Sequence, residues 1–116
     1  MRALVLLLLL APVPAMAKEE SAGSQVQFGL KVAQKGLWQE ARFRFERAVQ
    51  LEPGNAAALN DLAVSLEQMG EFDQARQAYE KALQLKPGDL YIQQNYDLFR
   101  EADDKRNRKT RKRAKP

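Results

Sequence analysis

The chain contains one tandem repeat with a period of 34 residues. When residues 22–55 are aligned without gaps on residues 56–89, eleven positions are identical. Composition alone gives about two identities over such a length. A unit copied in tandem cannot bury its apolar face alone, and so it stacks on its neighbour. The repeat therefore predicts an array that presents a binding surface, rather than one that encloses a reaction centre.

Each copy is predicted to form two helices separated by a short turn. Gly36 and Gly70 suit the left-handed backbone position that follows a helix. Pro53 and Pro87 end the second helix of each copy. Helical spacing of the apolar residues then predicts four helices, at about 22–35, 38–51, 56–69 and 72–85.

Small and aromatic residues alternate along the second helix of each copy. Alanines allow two helices to approach closely, and one bulky ring between them can fill the gap to the next helix. The sequence predicts buried packing positions of both kinds, at Ala41, Ala48, Ala75, Ala82, Phe45 and Tyr79.

A fifth helix is predicted to follow the second copy. Asp89 can cap it, and its apolar residues end near position 102, so the helix is assigned to residues 90–104. Residues 105–116 carry eight Lys and Arg, no acid and few apolar residues, which is typical of a disordered tail. The spacing of Glu101 and Lys105 would also support continuation of the helix into this tail.

The repeat resembles the tetratricopeptide repeat (TPR) family in length and in its pattern W-x₂-L-G-x₂-Y…A-x₃-F…P. The second copy shows this pattern from Leu59 through Ala75 and Tyr79 to Pro87. The first copy follows it from Gln25, where an apolar residue is usual in the family. The resemblance implies an all-α fold: a right-handed α-solenoid of two helix-turn-helix repeats, 22–55 and 56–89, with the fifth helix as a solvating cap.

The resemblance also implies a groove on the concave face, lined by the first helix of each repeat. The residues placed there are Val26, Leu30, Asn60, Val64, Gln94 and Leu98, with Gln27, Ala33, Asp61, Glu67 and Tyr91 near the rim. Some family members clamp a carboxylate with Lys, Arg and Asn at equivalent positions, but here only Asn95 could serve. The groove suits a short apolar or weakly basic segment of another protein. A second copy of the chain is the alternative occupant, and simple packing is a third interpretation.

Residues 1–17 have the layout of a secretory signal peptide. A short positive start is followed by an apolar run and by Ala15-Met16-Ala17, a junction of small residues. The run is shorter than the roughly 20 apolar residues that span a bilayer. We therefore expect cleavage after Ala17, export to the periplasm or secretion, and a polar lead-in at residues 18–21. The alternative is an uncleaved apolar segment that associates loosely with a membrane.

The charge of the chain is divided between an acidic body and a basic end. Residues 18–104 carry ten basic and fifteen acidic side chains, whereas residues 105–116 carry only basic ones. Such an end either solubilises the protein or binds anionic lipid or a cell-surface polymer. Nucleic acid is the less favoured polyanion, because no aromatic residue is present to stack on bases. The candidate polyanion-binding residues are Lys105, Arg106, Arg108, Lys109, Arg111, Lys112, Arg113 and Lys115.

The residue inventory predicts neither an enzyme nor a metal or cofactor site. The chain has no histidine and no cysteine, so it has no His-based triad, no thiolate nucleophile and no disulfide. It also has no glycine-rich phosphate loop. The sequence therefore indicates a non-enzymatic, exported protein–protein adaptor. The alternatives are a cytoplasmic adaptor that associates with nucleic acid through its tail, and a self-associating structural module.

Overall fold

Two helix hairpins and a long final helix make up residues 20–116, the part of the chain that the computed structural model describes. The signal-peptide prediction for residues 1–17 lies outside this range. The described helices are α1 (Ala22–Gln34), α2 (Trp38–Leu51), α3 (Ala56–Gln68), α4 (Phe72–Leu85) and α5 (Leu90–Ala114). The first four begin at the predicted residues and end within one residue of the predicted ends. Within residues 20–116 the fold is entirely helical, as the sequence predicts.

The polar residues that precede α1, α3 and α5 cap these helices. Ser21 and Ser24 form a reciprocal capping box. The side chain of Asn55 accepts a hydrogen bond of 3.0 Å from the amide of Ala58 at the start of α3. The side chain of Asp89 does the same for α5, at 3.1 Å from the amide of Ile92. These caps fix where each repeat begins, because they satisfy amides that have no partner within the helix.

Two glycines end the first helix of each repeat. Gly36 and Gly70 have φ angles of 74° and 78°, a backbone conformation that strains other residues. In a third repeat the equivalent position would be residue 104, which is aspartate. The absence of glycine there removes the signal that ends α1 and α3.

The helix α5 accordingly extends beyond residue 104, where the sequence analysis placed the start of a disordered tail. It continues through Ala114. Lys105 forms an ion pair with Glu101, one turn earlier, at 3.1 Å. The hydroxyl of Thr110 donates a hydrogen bond to the carbonyl of Arg106. Helical spacing of opposite charges therefore extends the helix into the basic segment.

Alanines and aromatic rings form the core at the predicted positions. The four predicted alanines are fully buried, and Phe45 and Tyr79 are each 1% exposed. Tyr79 also meets α5, with its ring centroid 5.4 Å from that of Phe99 and 5.7 Å from that of Tyr96. The fifth helix thus covers the end of the second repeat, as expected of a capping helix. None of the five described helices combines the length and apolar character needed to cross a bilayer.

Candidate functional site

A cavity of about 290 Å³ opens where α1, α2, α3 and α5 face one another. Its wall is mainly apolar, with one carboxylate among three aromatic rings. The lining residues are Leu30, Ala33 and Gln34 of α1, Trp38 and Phe45 of α2, Asp61 and Val64 of α3, and Tyr91 of α5. We call it the groove cavity. It joins both repeats and the capping helix, and it is the candidate functional site.

The two repeats differ in a pair of side chains beside this cavity. In the second repeat the hydroxyl of Tyr79 donates a hydrogen bond of 2.9 Å to Glu67. Burial and the adjacent Glu67 carboxylate raise the pKa of the Tyr79 hydroxyl above its usual range. The equivalent positions in the first repeat are Phe45 and Ala33, which lack both polar groups. The short Ala33 side chain leaves space beside Phe45, and both residues line the cavity.

The carboxyl group of Asp61 is the charged element of the cavity. Burial raises its pKa to about 6, and a hydrogen bond with Asn60 opposes that rise only in part. Within residues 20–116, no Lys or Arg lies within ion-pair distance of Asp61. An apolar wall therefore surrounds a carboxylate whose charge the described part of the chain does not neutralise.

Two of the six predicted groove residues, Leu30 and Val64, line the cavity. Leu30 is 44% exposed, whereas Val64 also packs against the core around Tyr79. Val26 packs against Ala22, Ala48 and Ala58 instead.

The other three predicted groove residues lie elsewhere. Asn60 is 1% exposed, and its side-chain oxygen accepts a hydrogen bond of 3.1 Å from Asn95 of α5. It therefore lies beneath the groove surface and helps to dock the capping helix. Gln94 and Leu98 are exposed on α5, outside the cavity.

Sequence reasoning did not assign Gln34, Trp38 or Phe45 to the groove. Trp38 and Phe45 belong to α2, the second helix of its repeat, and the family pattern places only first helices on the concave face. The sequence did contain a signal for this part of the groove: Glu67 and Tyr79 of the second repeat are replaced by Ala33 and Phe45 in the first. It shows that the first repeat lacks the groups that occupy this position in the second.

Two of the basic residues assigned to polyanion binding make contacts within the fold. The guanidinium of Arg106 lies 3.5 Å from the ring centre of Phe72 and 3.3 Å from the carboxylate of Asp103. Asp103 is buried and also pairs with Arg76 of α4. Arg106 therefore joins α5 to α4, while Lys105 pairs with Glu101. The remaining candidates are exposed: Arg108, Lys109, Arg111, Lys112, Arg113 and Lys115.

The described residues offer no obvious place for a metal ion. Between residues 20 and 116, no group of three Asp, Glu, His or Cys side chains is arranged to hold one.

These helix hairpins, stacked at a period of 34 residues around a shared groove, define a helical-repeat scaffold. Residues 33–95, more than half of the chain, match the tetratricopeptide repeat family. The chain belongs to that family, as the sequence pattern indicated.

Among solved structures, the chain is similar to MamA. One crystal structure of MamA is 31% identical with a TM-score of 0.67, over 75% of this chain and 51% of that one. A second crystal structure of the MamA protein is 30% identical with a TM-score of 0.67, over 78% and 50%. The chain thus spans about half the length of these relatives. No curated protein sequence matches it significantly.

Proposed function

We propose that the protein is an exported, non-enzymatic adaptor that holds a short segment of another protein in the groove cavity. The observation that carries this proposal is an open apolar cavity built by both repeats and the capping helix. Its volume, about 290 Å³, suits one or two anchoring side chains rather than a large ligand. Membership of the TPR family supports the adaptor role, because stacked repeats present extended binding surfaces.

Leu30 and Leu98 offer a matched pair of variants to test the groove. Both are exposed leucines, but only Leu30 lines the cavity. We expect Leu30→Asn to abolish capture of the partner from host extracts, and Leu98→Asn to leave capture intact. Each change should shift the free energy of unfolding by only about 0.5 kcal/mol, since the side chains are exposed. Equal capture by wild type and both variants would contradict a partner in this groove.

The export component of the proposal depends on the pattern of residues 1–17. The positive start, the apolar run and the small-residue junction support recognition and cleavage as a signal peptide. Intact-mass measurement of the protein from its own host tests this directly. We expect a mature chain that begins at Lys18. A cytosolic chain that retains Met1 would contradict export and favour the cytoplasmic alternative.

The basic end of α5 is proposed to tether the adaptor to an anionic surface. Six exposed Lys and Arg follow Arg106, and each is worth about 1 kcal/mol near an anionic membrane. We expect the full chain to co-sediment with phosphatidylserine vesicles at low salt, and binding to fall steeply as salt rises. A chain that ends at Arg106 should not bind, while its fold remains intact because the Arg106 contacts are kept. Equal binding by both chains would contradict a tether and would leave residues 107–116 with a solubilising role.

A further inference from the structure

The position of Asp61 points to a particular kind of anchor. Asp61 is half-buried and hydrogen-bonded to Asn60 but has no ion-pair partner in the described part of the chain, which is costly for a carboxylate because water solvates its charge better than an apolar wall does. Asp61 lies in the groove cavity between Leu30, Trp38 and Val64. Burial raises the pKa of Asp61 to about 6, because the ionised carboxylate is less stable in this apolar site than in water. A bound segment that supplies a positive charge would explain why the protein keeps a carboxylate that destabilises its free form.

The arginines of α2 do not supply this positive charge. Arg42 pairs with Glu46 at 2.7 Å, and Arg44 pairs with Glu40 at 3.1 Å. The guanidinium of Arg44 also lies 4.1 Å from the ring centre of Phe28. Lys31 and Lys35, beside the cavity residues of α1, are exposed, and none of the ion pairs within residues 20–116 includes Asp61.

The shape and lining of the cavity fit the two parts of a long basic side chain. Lys and Arg carry an aliphatic stem that packs on apolar surface and a cationic head that needs an acceptor. The walls at Leu30 and Val64 can contact the stem, and Asp61 can accept from the head. The rings of Trp38 and Tyr91 add faces that attract a cation.

The interface between α4 and α5 shows a contact of this chemistry made by the chain itself. Phe72 occupies the position that corresponds to Trp38, and the guanidinium of Arg106 lies over its ring at 3.5 Å. That guanidinium also pairs with a buried carboxylate, Asp103. A ring of α4 and an acid of α5 thus hold a basic side chain of α5. The groove cavity has a ring, Trp38 of α2, and an acid, Asp61 of α3, but none of the ion pairs within residues 20–116 supplies a cation to that acid.

We propose that the groove cavity is a receptor for a lysine or arginine side chain of the bound segment, with Asp61 as its acceptor. This inference rests on the proposed adaptor function and names the chemistry of the partner at its anchor point. It also gives the groove the opposite charge preference from that of a carboxylate clamp.

The chain carries its own reporter for a test, because Trp38 is its single tryptophan and lines the cavity. The probes are three synthetic heptapeptides, Ala-Leu-Ala-X-Ala-Leu-Ala, with blocked ends. X is lysine, norleucine or glutamate, so the first two have stems of similar length but differ in charge. Titration of the full chain is followed by Trp38 emission excited at 295 nm.

We expect the lysine peptide to change the emission saturably and to bind about tenfold more tightly than the norleucine peptide, the ratio expected for one desolvated charge-assisted contact. The glutamate peptide should bind more weakly than either. Asp61→Asn should remove the difference between lysine and norleucine. Asp104→Asn, which removes the same charge from an exposed position on α5, should preserve it.

Two results would overturn the assignment. Equal binding of the lysine and norleucine peptides by the wild type would show a groove without charge preference, and the adaptor proposal would stand. If the lysine peptide caused no saturable change in emission, the proposal that the groove cavity receives a basic side chain would also be wrong. The adaptor proposal would then depend on the Leu30→Asn capture experiment, which uses the native partner and not these peptides.

Discussion

The ring of Phe45 lies against the backbone of Gly29 so closely that a methyl group on Gly29 would be 2.5 Å from the ring. This contact joins α2 to α1 and sets the depth at which Phe45 is buried. The second repeat places Ala63 and Tyr79 at the equivalent positions, so the close approach belongs to the first repeat.

Gly29→Ala should therefore destabilise the protein, although alanine favours helices. The ring of Phe45 would have to leave its packed position to admit the methyl group, so overpacking should cost about 1–3 kcal/mol. Gly23→Ala is the matched control, because the same helix has open space at that position. That change should stabilise by about 0.5–1 kcal/mol. Urea denaturation followed by circular dichroism measures both, and a stabilising Gly29→Ala would contradict the packing described.

Asp61→Asn is expected to stabilise the free protein at neutral pH. The pKa of Asp61 is about 6 in the folded state and 3.8 in its unperturbed form, so the folded state binds more protons between these values. Stability should therefore fall as pH rises through this window, and the cost should be fully present above pH 6. The variant avoids that cost, with a gain on the order of 1–3 kcal/mol at pH 7.5.

The same comparison at lower pH supplies the control for Asp61. At about pH 3, below the unperturbed pKa of 3.8, the carboxyl group is largely protonated in both states, and the advantage of Asp61→Asn should largely disappear. Asp104→Asn should show little effect at either pH, since Asp104 is exposed. A variant no more stable than the wild type at pH 7.5 would mean that Asp61 is solvated or paired.

Asp103→Ala should loosen the attachment of α5 to α4. The change leaves the guanidinium groups of Arg76 and Arg106 without their shared carboxylate, and we expect a loss of about 2 kcal/mol. Hydrogen exchange should then show faster exchange of the amides after residue 103. The adjacent, exposed Asp104→Ala controls for removal of one acid from the helix and should leave exchange in α5 nearly unchanged.

Tyr79→Ala should cost about 3 kcal/mol or more, because it removes a ring enclosed by α3, α4 and α5. That loss can unfold a core of only two repeats and a cap, so Tyr79→Phe is the informative companion. It removes only the hydrogen bond to Glu67 and should cost about 1 kcal/mol. Thermal unfolding distinguishes the two, and equal losses would contradict the role assigned to the ring.

The sequence predicted the parts of the fold that depend on local signals. Glycine at positions 36 and 70, with caps at Asn55 and Asp89, determines helix ends through backbone conformation and hydrogen bonding with near neighbours. The tail boundary differed because the last apolar residues and the basic composition placed it, although the spacing of Glu101 and Lys105 favoured a longer helix. Asp104, at the position of the two glycines, supplies no stop, and α5 therefore continues.

The groove was harder to predict because its depth depends on contacts between helices. Asn60 has the spacing of a groove residue, but Asn95 of α5 covers it. Trp38 has the spacing of a second-helix residue, but the short Ala33 side chain opens space beside it. The burial of Asp61 likewise depends on α1, α2 and α5 closing around α3, which the periodicity of α3 alone does not encode.

Site-specific photo-crosslinking tests most directly the claim that a partner segment occupies the groove cavity. A photoreactive amino acid replaces Leu30 in one chain and the exposed Leu85 of α4, outside the cavity, in another. Crosslinking in the native host is followed by mass spectrometry of the joined peptides. We predict one partner segment joined at position 30, with Lys or Arg within a few residues of the crosslink, and no such product from position 85. Crosslinks to that partner only from position 85 would contradict the account.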